Sequence, residues 1–234
     1  MQTTIKDQFR HTWQTSIQQA KIIQEDLAKK IKISKLQVPI KKIAGFDVSY
    51  LKSRNLLIGG MVVMNFPELN VLETIIQTSP ISFPYIPGYL SFREAPVLLD
   101  LITSQRQNID VFLFDGHGIA HPRGLGIAAH IGVLIDKPCL GCAKKKLVGE
   151  FDQPADQRGS ASNLTYKGKK IGQVLRTRPG TKPVFVSVGN RITLQQGVEL
   201  ILSCCRKCRL PEPLRQAHQL VTSWRKEYEK SKVN

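Results

Sequence analysis

DVFLFDGHGIAHPRGLGIAAHIGVLIDKPCLGCAK, running from Asp110 to Lys144, is the stretch around which the rest of the 234-residue chain is arranged. Its apolar run Val111-Phe112-Leu113-Phe114 is too short for a helix and rich in strand formers. Such continuous apolarity predicts a strand buried on both faces, in the middle of an α/β sheet. Asp115 then places a charge at the strand's carboxyl end. Glycines follow at 116, 118, 124, 126 and 132, and they allow a ligand to approach the backbone closely. An acid in this position can equally do no more than cap a turn; the neighbouring residues favour the functional reading. A helix-like apolar segment comes next, and a second strand-like run leads through Cys139 to Lys144.

Working outward, Ile5, Phe9, Trp13, Ile17, Ala20, Ile23, Leu27 and Ile31 recur at spacings of three and four, which predicts one amphipathic helix over residues 5 to about 31. Lys41–Tyr50, Asn55–Phe66 and Val71–Ser82 read as three strands. Short connections make them an antiparallel meander, with Asp47 in the second half of the first. The proline-rich loop Phe83–Gly88 breaks the pattern. A helix is expected to begin close to Glu94, with Pro96 in its first turn and Leu98, Leu99 and Ile102 buried.

Downstream, Glu150–Ser162 has no periodicity and reads as a loop. Lys170–Arg176 and Val184–Val188 read as strands of a hairpin or sheet edge, ended by Gly189-Asn190. A helix is expected over Leu194–Cys208. A last one starts at Pro211-Glu212-Pro213, burying Leu214, Ala217, Val221, Trp224 and Tyr228, with His218 at the margin. The charged tail, 226–234, is expected to fray. This order predicts a mixed-sheet α/β fold in a single domain over 1–234.

The 34 Lys and Arg against 18 Asp and Glu leave a net charge of +16. That excess suits a polyanionic partner, nucleic acid first among them, although it also serves solubility. No apolar run approaches the ~20 residues of a membrane span, and the first twenty residues do not read as a secretory signal. The expected setting is cytoplasmic, with no membrane partner. Five cysteines, an odd number, argue for a reducing compartment rather than a disulfide framework. Cys139-x-x-Cys142 and Cys205-x-x-Cys208 have zinc-like spacing, but small buried hydrophobes are the better reading on regular elements.

Asp47 and Asp115 each fall late in a strand-like run. If those strands are neighbours, the two carboxylates converge, and both ionise cheaply only beside a cation. Glu94 could add a third oxygen, or simply be a helix-start charge favoured by the dipole. Three hard carboxylates suit Mg²⁺, with Mn²⁺ as a substitute. Such a metal orients water for attack on a phosphodiester. Lys144 could neutralise the phosphate, or be a solvated member of Lys144-Lys145-Lys146. His218 could position or deprotonate the water, or be a satisfied core-edge histidine. Pro84-Tyr85-Ile86-Pro87 is stiffened by its prolines, and could wedge into a base stack or be an ordinary connection. Backbone N–H groups around Gly88, Gly116 and Gly118 could read the edge of a flipped base.

Five motifs carry a resemblance: IAGFDVSY at 43–50, PYIPGYLSFRE at 84–94, FDGHGIAHPRGLGIAAHIG at 114–132, GCAKKKLVG at 141–149 and PEPLRQAH at 211–218. Over residues 8 to 225 the chain resembles the endonuclease V family, which implies an RNase H-like fold. Carried over position by position, Asp47, Glu94 and Asp115 would be metal-binding carboxylates. Lys144 and His218 would be accessory catalytic residues, and Pro84 to Pro87 a strand-separating wedge. Gly88, Leu90, Gly116, His121 and Gly126 would line or support a hypoxanthine pocket, with Gly118 beside them. The resemblance implies Mg²⁺-dependent hydrolysis of the second phosphodiester 3′ to deoxyinosine or another deaminated base in DNA. Inosine-containing RNA is an alternative substrate, and a binding module without catalysis is a further alternative. A monomer is expected. Cys139 and Cys142 depart from the small or branched apolar residues expected there, which bears only on local packing.

Overall fold

Residues 3–37 and 39–230 are described by a computed structural model. Val111–Phe114 is a strand, β4, with all four residues buried. It lies between β1 (Lys42–Leu51) and β5 (Cys139–Ala143) and runs parallel to both. β2 (Leu56–Asn65) and β3 (Val71–Pro80) extend the sheet from β1 as the expected antiparallel meander. On the other side come β8 (Val184–Asn190), β7 (Lys169–Leu175) and β6 (Ala161–Tyr166), all antiparallel. The result is one eight-stranded mixed sheet of order β3-β2-β1-β4-β5-β8-β7-β6. Antiparallel first strands and flanking helices match the RNase H-like expectation.

Side-chain alternation divides the core into two layers. Phe46, Phe112 and Phe114 face α2 (Leu90–Ser104) and α3 (Ile127–Ile135), packing with Leu98, Leu101 and Ile131. The rings of Phe46 and Phe114 stack with centroids 4.8 Å apart. Ile43, Val111, Leu113 and Leu140 face the opposite way, toward Leu200 and Ile201 of α4 (Leu194–Cys204) and Leu214 and Ala217 of α5 (Glu212–Lys230). Each such buried side chain contributes ~1.5–3 kcal/mol. Gly45 lets α5 come down onto β1: a Cβ there would lie 2.3 Å from the carbonyl carbon of Pro213. Asp47, two residues on, projects toward the same helix.

Several elements depart from the sequence reading, each for a tertiary reason. The expected helix over 5–31 is only α1, Ile17–Ala28, capped by Ser16, whose hydroxyl accepts from the Gln19 N–H at 3.1 Å. The residues before it form a 3₁₀ turn, Asp7–Phe9, and then an irregular run with a bend at Trp13-Gln14. Lys6 N–H bonds to Leu134 O at 2.7 Å, and Trp13 packs against His11, Phe92 and His130. Ile5 and Trp13 therefore pack against the core outside any continuous helix, and Ile17 at the start of α1 is half exposed.

α2 starts at Leu90, a turn before Glu94, and Pro96 lies inside it. That extra turn buries Phe92 completely against Phe83 and Tyr89. β6 has no counterpart in the sequence reading, whose loop ends at Ser162, because only Leu164 of its six residues is buried; this strand, not β7 or β8, forms the edge opposite β3. β8 continues through Asn190. α4 stops at Cys204, short of Cys208. Cys139, Cys142, Cys204 and Cys205 are buried and Cys208 is exposed. Cys139 and Cys142 pack into different core layers, so they cannot share an ion. α5 continues to Lys230, and the remainder of the charged tail lies outside the described residues. Among the described residues, no helix is long and apolar enough to cross a membrane.

Candidate active site

Parallel pairing of β1 with β4 sets the first feature of the site. Phe46 is opposite Phe114, so Asp47 and Asp115 are the next residues on adjoining strands. Asp115 N–H reaches Phe46 O at 3.4 Å and holds the two strand ends together. Each carboxylate has a partner. Asp47 Oδ2 lies 2.7 Å from His218 Nδ1 on α5. Asp115 Oδ2 receives the ammonium of Lys144, which follows the last residue of β5. Asp47 and Asp115 are 12% and 17% exposed, whereas His218 is 54% and Lys144 37% exposed. The acids are thus fixed and their partners have room to move.

Electrostatics links the third acid. Glu94 sits in the second turn of α2, so the helix-start explanation for its charge does not apply. Its carboxyl is pushed up to about 8, first by burial and then by the charge of Asp47, with Asp115 adding to this and Arg93 opposing. Burial and Asp115 also raise Asp47, against the His218 hydrogen bond and the Lys144 charge. Among the described residues, no three His, Cys, Asp or Glu side chains stand gathered as a ready metal cage. Asp47 and Asp115 instead spend oxygens on His218 and Lys144. The donor chemistry nevertheless fits a hard divalent cation: burial and neighbouring negative charge raise Glu94 and Asp47 together, and a cation relieves that cost.

Beside the acids is a cavity of about 140 Å³. Gly88, Leu90, Gly116, His121 and Gly126, named for the lesion pocket, line it, and so do Tyr85, Ile86 and Pro87 of the wedge loop and Ser91, His117, Leu125, Ile127 and Leu147. Gly118 does not. Its N–H donates to Ser187 Oγ at 2.8 Å, and a Cβ there would meet Val188 O at 1.9 Å, so this glycine is needed for close packing on β8. The Gly116 N–H is also engaged, by Phe114 O at 2.9 Å. Of the three expected backbone readers, Gly88 is left. It has φ +81°, in the left-handed region that favours glycine.

The Gly88 carbonyl is the hub of the loop above the cavity. It accepts from Gln24 Nε2 at 3.1 Å, His121 Nε2 at 2.9 Å and Arg123 Nη2 at 2.5 Å. His121 is held neutral, its imidazole pushed down to about 4 by burial and then by Arg123. Its Nε2 therefore donates, while Nδ1 accepts from the Arg123 N–H at 3.2 Å. Arg123 also covers the Tyr89 ring at 4.2 Å. On this base stand Pro84, Tyr85, Ile86 and Pro87. Phe83 is buried beneath them, and Tyr85 projects outward with 69% exposure. Sequence reasoning missed Gln24 and Arg123. One signal existed: Gln24 falls on the apolar face of α1 with Ala20 and Leu27, and it is fully buried.

The endonuclease V family model matches residues 25–219. The chain belongs to the endonuclease V family. It is 43% identical over 217 residues to endonuclease V of Roseiflexus sp. (strain RS-1), covering 93% of this chain and 97% of that one. The fold matches the crystal structure of Bacillus subtilis endonuclease V with a TM-score of 0.89 at 30% identity, covering 94% of this chain and 97% of that one. It also matches Ciona intestinalis endonuclease V, solved with a 24mer DNA containing an inosine followed by a ribo-adenosine. There the TM-score is 0.78 at 30% identity, over 92% of this chain and 98% of that one.

Because Glu94 binds its proton more tightly folded than unfolded, metal-free stability is expected to fall as pH rises from 4.5 to about 8. Glu94→Gln should remove much of that slope and raise stability in EDTA at pH 8 by up to about 4 kcal/mol. Urea unfolding across this pH window checks it; an unchanged slope would mean that neither burial nor the neighbouring acids raise Glu94.

Proposed function

We propose that this chain is a Mg²⁺-dependent endonuclease that recognises deoxyinosine in DNA and hydrolyses the second phosphodiester 3′ to it, initiating repair. The observation that carries the reading is the register of β1 against β4, which sets Asp47 beside Asp115, next in the chain to Gly116 of the cavity wall. Lys144, His218 and Glu94 surround the pair. A binding module has little use for clustered carboxylates, which repel phosphate; a phosphodiesterase needs them.

Asp47, Asp115 and Glu94 would hold the cation, and Mn²⁺ would substitute for Mg²⁺. The chemistry a bound cation supplies is orientation of the attacking water and stabilisation of the leaving oxygen. Lys144, at Asp115 and 37% exposed, is placed to give its ammonium to a phosphate oxygen. His218 is half exposed and can take the proton that the water loses. The water oxygen bonds to phosphorus and the P–O3′ bond breaks. A proton then goes to the departing oxygen, leaving 3′-hydroxyl and 5′-phosphate ends. Tyr85 and its flanking prolines would fill the gap left by the base turned into the cavity, in which Gly88, Leu90, Gly116 and Gly126 form the walls and His121 braces the loop.

Asp115→Ala is expected to reduce cleavage of a deoxyinosine duplex by 10²–10³ or more, to order of magnitude. Lesion binding by gel shift should be kept or tightened, since a charge facing phosphate is removed. Loss of binding together with cleavage would instead assign Asp115 to folding. Tyr85→Ala should weaken binding to the deoxyinosine duplex about tenfold while binding to undamaged duplex changes little. Equal losses on both would exclude a wedge.

A further inference from the structure

On the far side of Lys144 from the small cavity is a second hollow, a groove of about 550 Å³. The segment Lys144–Leu147 divides the two. Lys144, Lys145 and Lys146 line the groove, whereas Leu147 lines the small cavity. His117 fixes this divider by donating from Nε2 to Lys145 O at 3.0 Å. Phe151 and Phe185 meet edge to face in the groove, with ring centroids 5.3 Å apart. Lys146 Nζ sits 5.6 Å from the Phe151 ring.

Two arginines brace the walls and are spent in doing so. Arg176 Nη2 bonds to Pro154 O at 3.2 Å, and its Nη1 bonds to Thr181 O. Arg209 Nη2 bonds to Lys144 O at 2.8 Å and to Pro183 O at 2.9 Å. Lys145, Lys146 and Lys182 are all exposed, and none of the three forms an ion pair among the described residues. The groove therefore offers three unneutralised ammonium groups and one aromatic face, in a size range that suits a small ligand or nucleotide.

An endonuclease cuts within a strand, so substrate must continue beyond the scissile phosphate. The geometry points to this groove as the binding site for the nucleotides on the 3′ side of the cut. Phe151 stacks a base, and Lys145, Lys146 and Lys182 take the phosphates. The inference rests on the proposed reaction, in which the lesion occupies the small cavity and the cut phosphate lies at Asp115 and Lys144. A path from cavity to carboxylates to groove then follows the chain's own divider.

The test uses deoxyinosine strands, annealed to one complement, that end one, three or eight nucleotides 3′ of the scissile phosphate. With the unaltered protein, KM should fall about tenfold as the flank grows from one to three nucleotides and little thereafter. Phe151→Leu, which retains apolar packing, and the surface pair Lys145→Gln with Lys146→Gln should each raise KM several-fold on the longer strands. Their effect on the shortest strand should be far smaller. A KM independent of flank length, or variants that raise KM equally on every strand, would overturn the groove assignment. If the unaltered protein cuts no deoxyinosine strand at all, the reaction itself is wrong.

Discussion

The repulsion between acids held together by β1 and β4 is the constraint on which the site depends. Two parallel strands in register, Phe46 against Phe114, place Asp47 and Asp115 next to one another whatever the side chains would prefer. The sheet can impose this because its centre is so apolar: β4 is wholly buried, and the stacked phenyl rings lock the pair one residue before the acids. Burial stabilises the strands and raises the cost of charge at their ends. That cost appears as the upward shifts of Asp47 and Glu94. A site that is electrostatically uncomfortable when empty of cation gains correspondingly when one binds.

The remaining elements serve this pair from two sides. α5 is brought close by Gly45 and delivers His218 to Asp47. β5 lies parallel on the other side of β4, and the residue after it, Lys144, turns back to Asp115. From the opposite layer, α2 contributes Glu94 and, one turn earlier, the floor of the projecting Tyr85 loop. Beyond its prolines, the loop is anchored through the Gly88 carbonyl, on which Gln24, His121 and Arg123 all converge. Three donors on one oxygen leave that turn little freedom.

Much of this was legible from residue order. Strand-forming runs with an acid in the second half or just after predicted β1 and β4, and short connections among the first three strands predicted the meander. What sequence cannot convey is which polar groups have already been used. Gly116 and Gly118 looked available as backbone readers, yet one N–H is taken by Phe114 and the other by Ser187, sixty-nine residues away. Distance along the chain also hid Gln24, whose partners lie in loops far downstream. Element boundaries failed where burial outweighed local preference. Phe92 draws α2 upstream of Pro96, and Trp13 holds its own segment out of the helix, against Phe92 and His130. β6 had too few buried residues to leave any pattern.

The account's central claim is that three mutually repelling carboxyls form a cation-dependent site offset from a base pocket. It is tested most directly by mapping the products from an end-labelled deoxyinosine duplex and an inosine-containing single-stranded RNA, each with Mg²⁺ and with EDTA. The account predicts a single nick in the DNA, at the second phosphodiester 3′ to deoxyinosine, with 3′-hydroxyl and 5′-phosphate ends, and none in EDTA. The same cut confined to RNA would reassign the substrate while keeping the site. Cleavage that persists in EDTA, or tight binding with no cut on either strand, would contradict it.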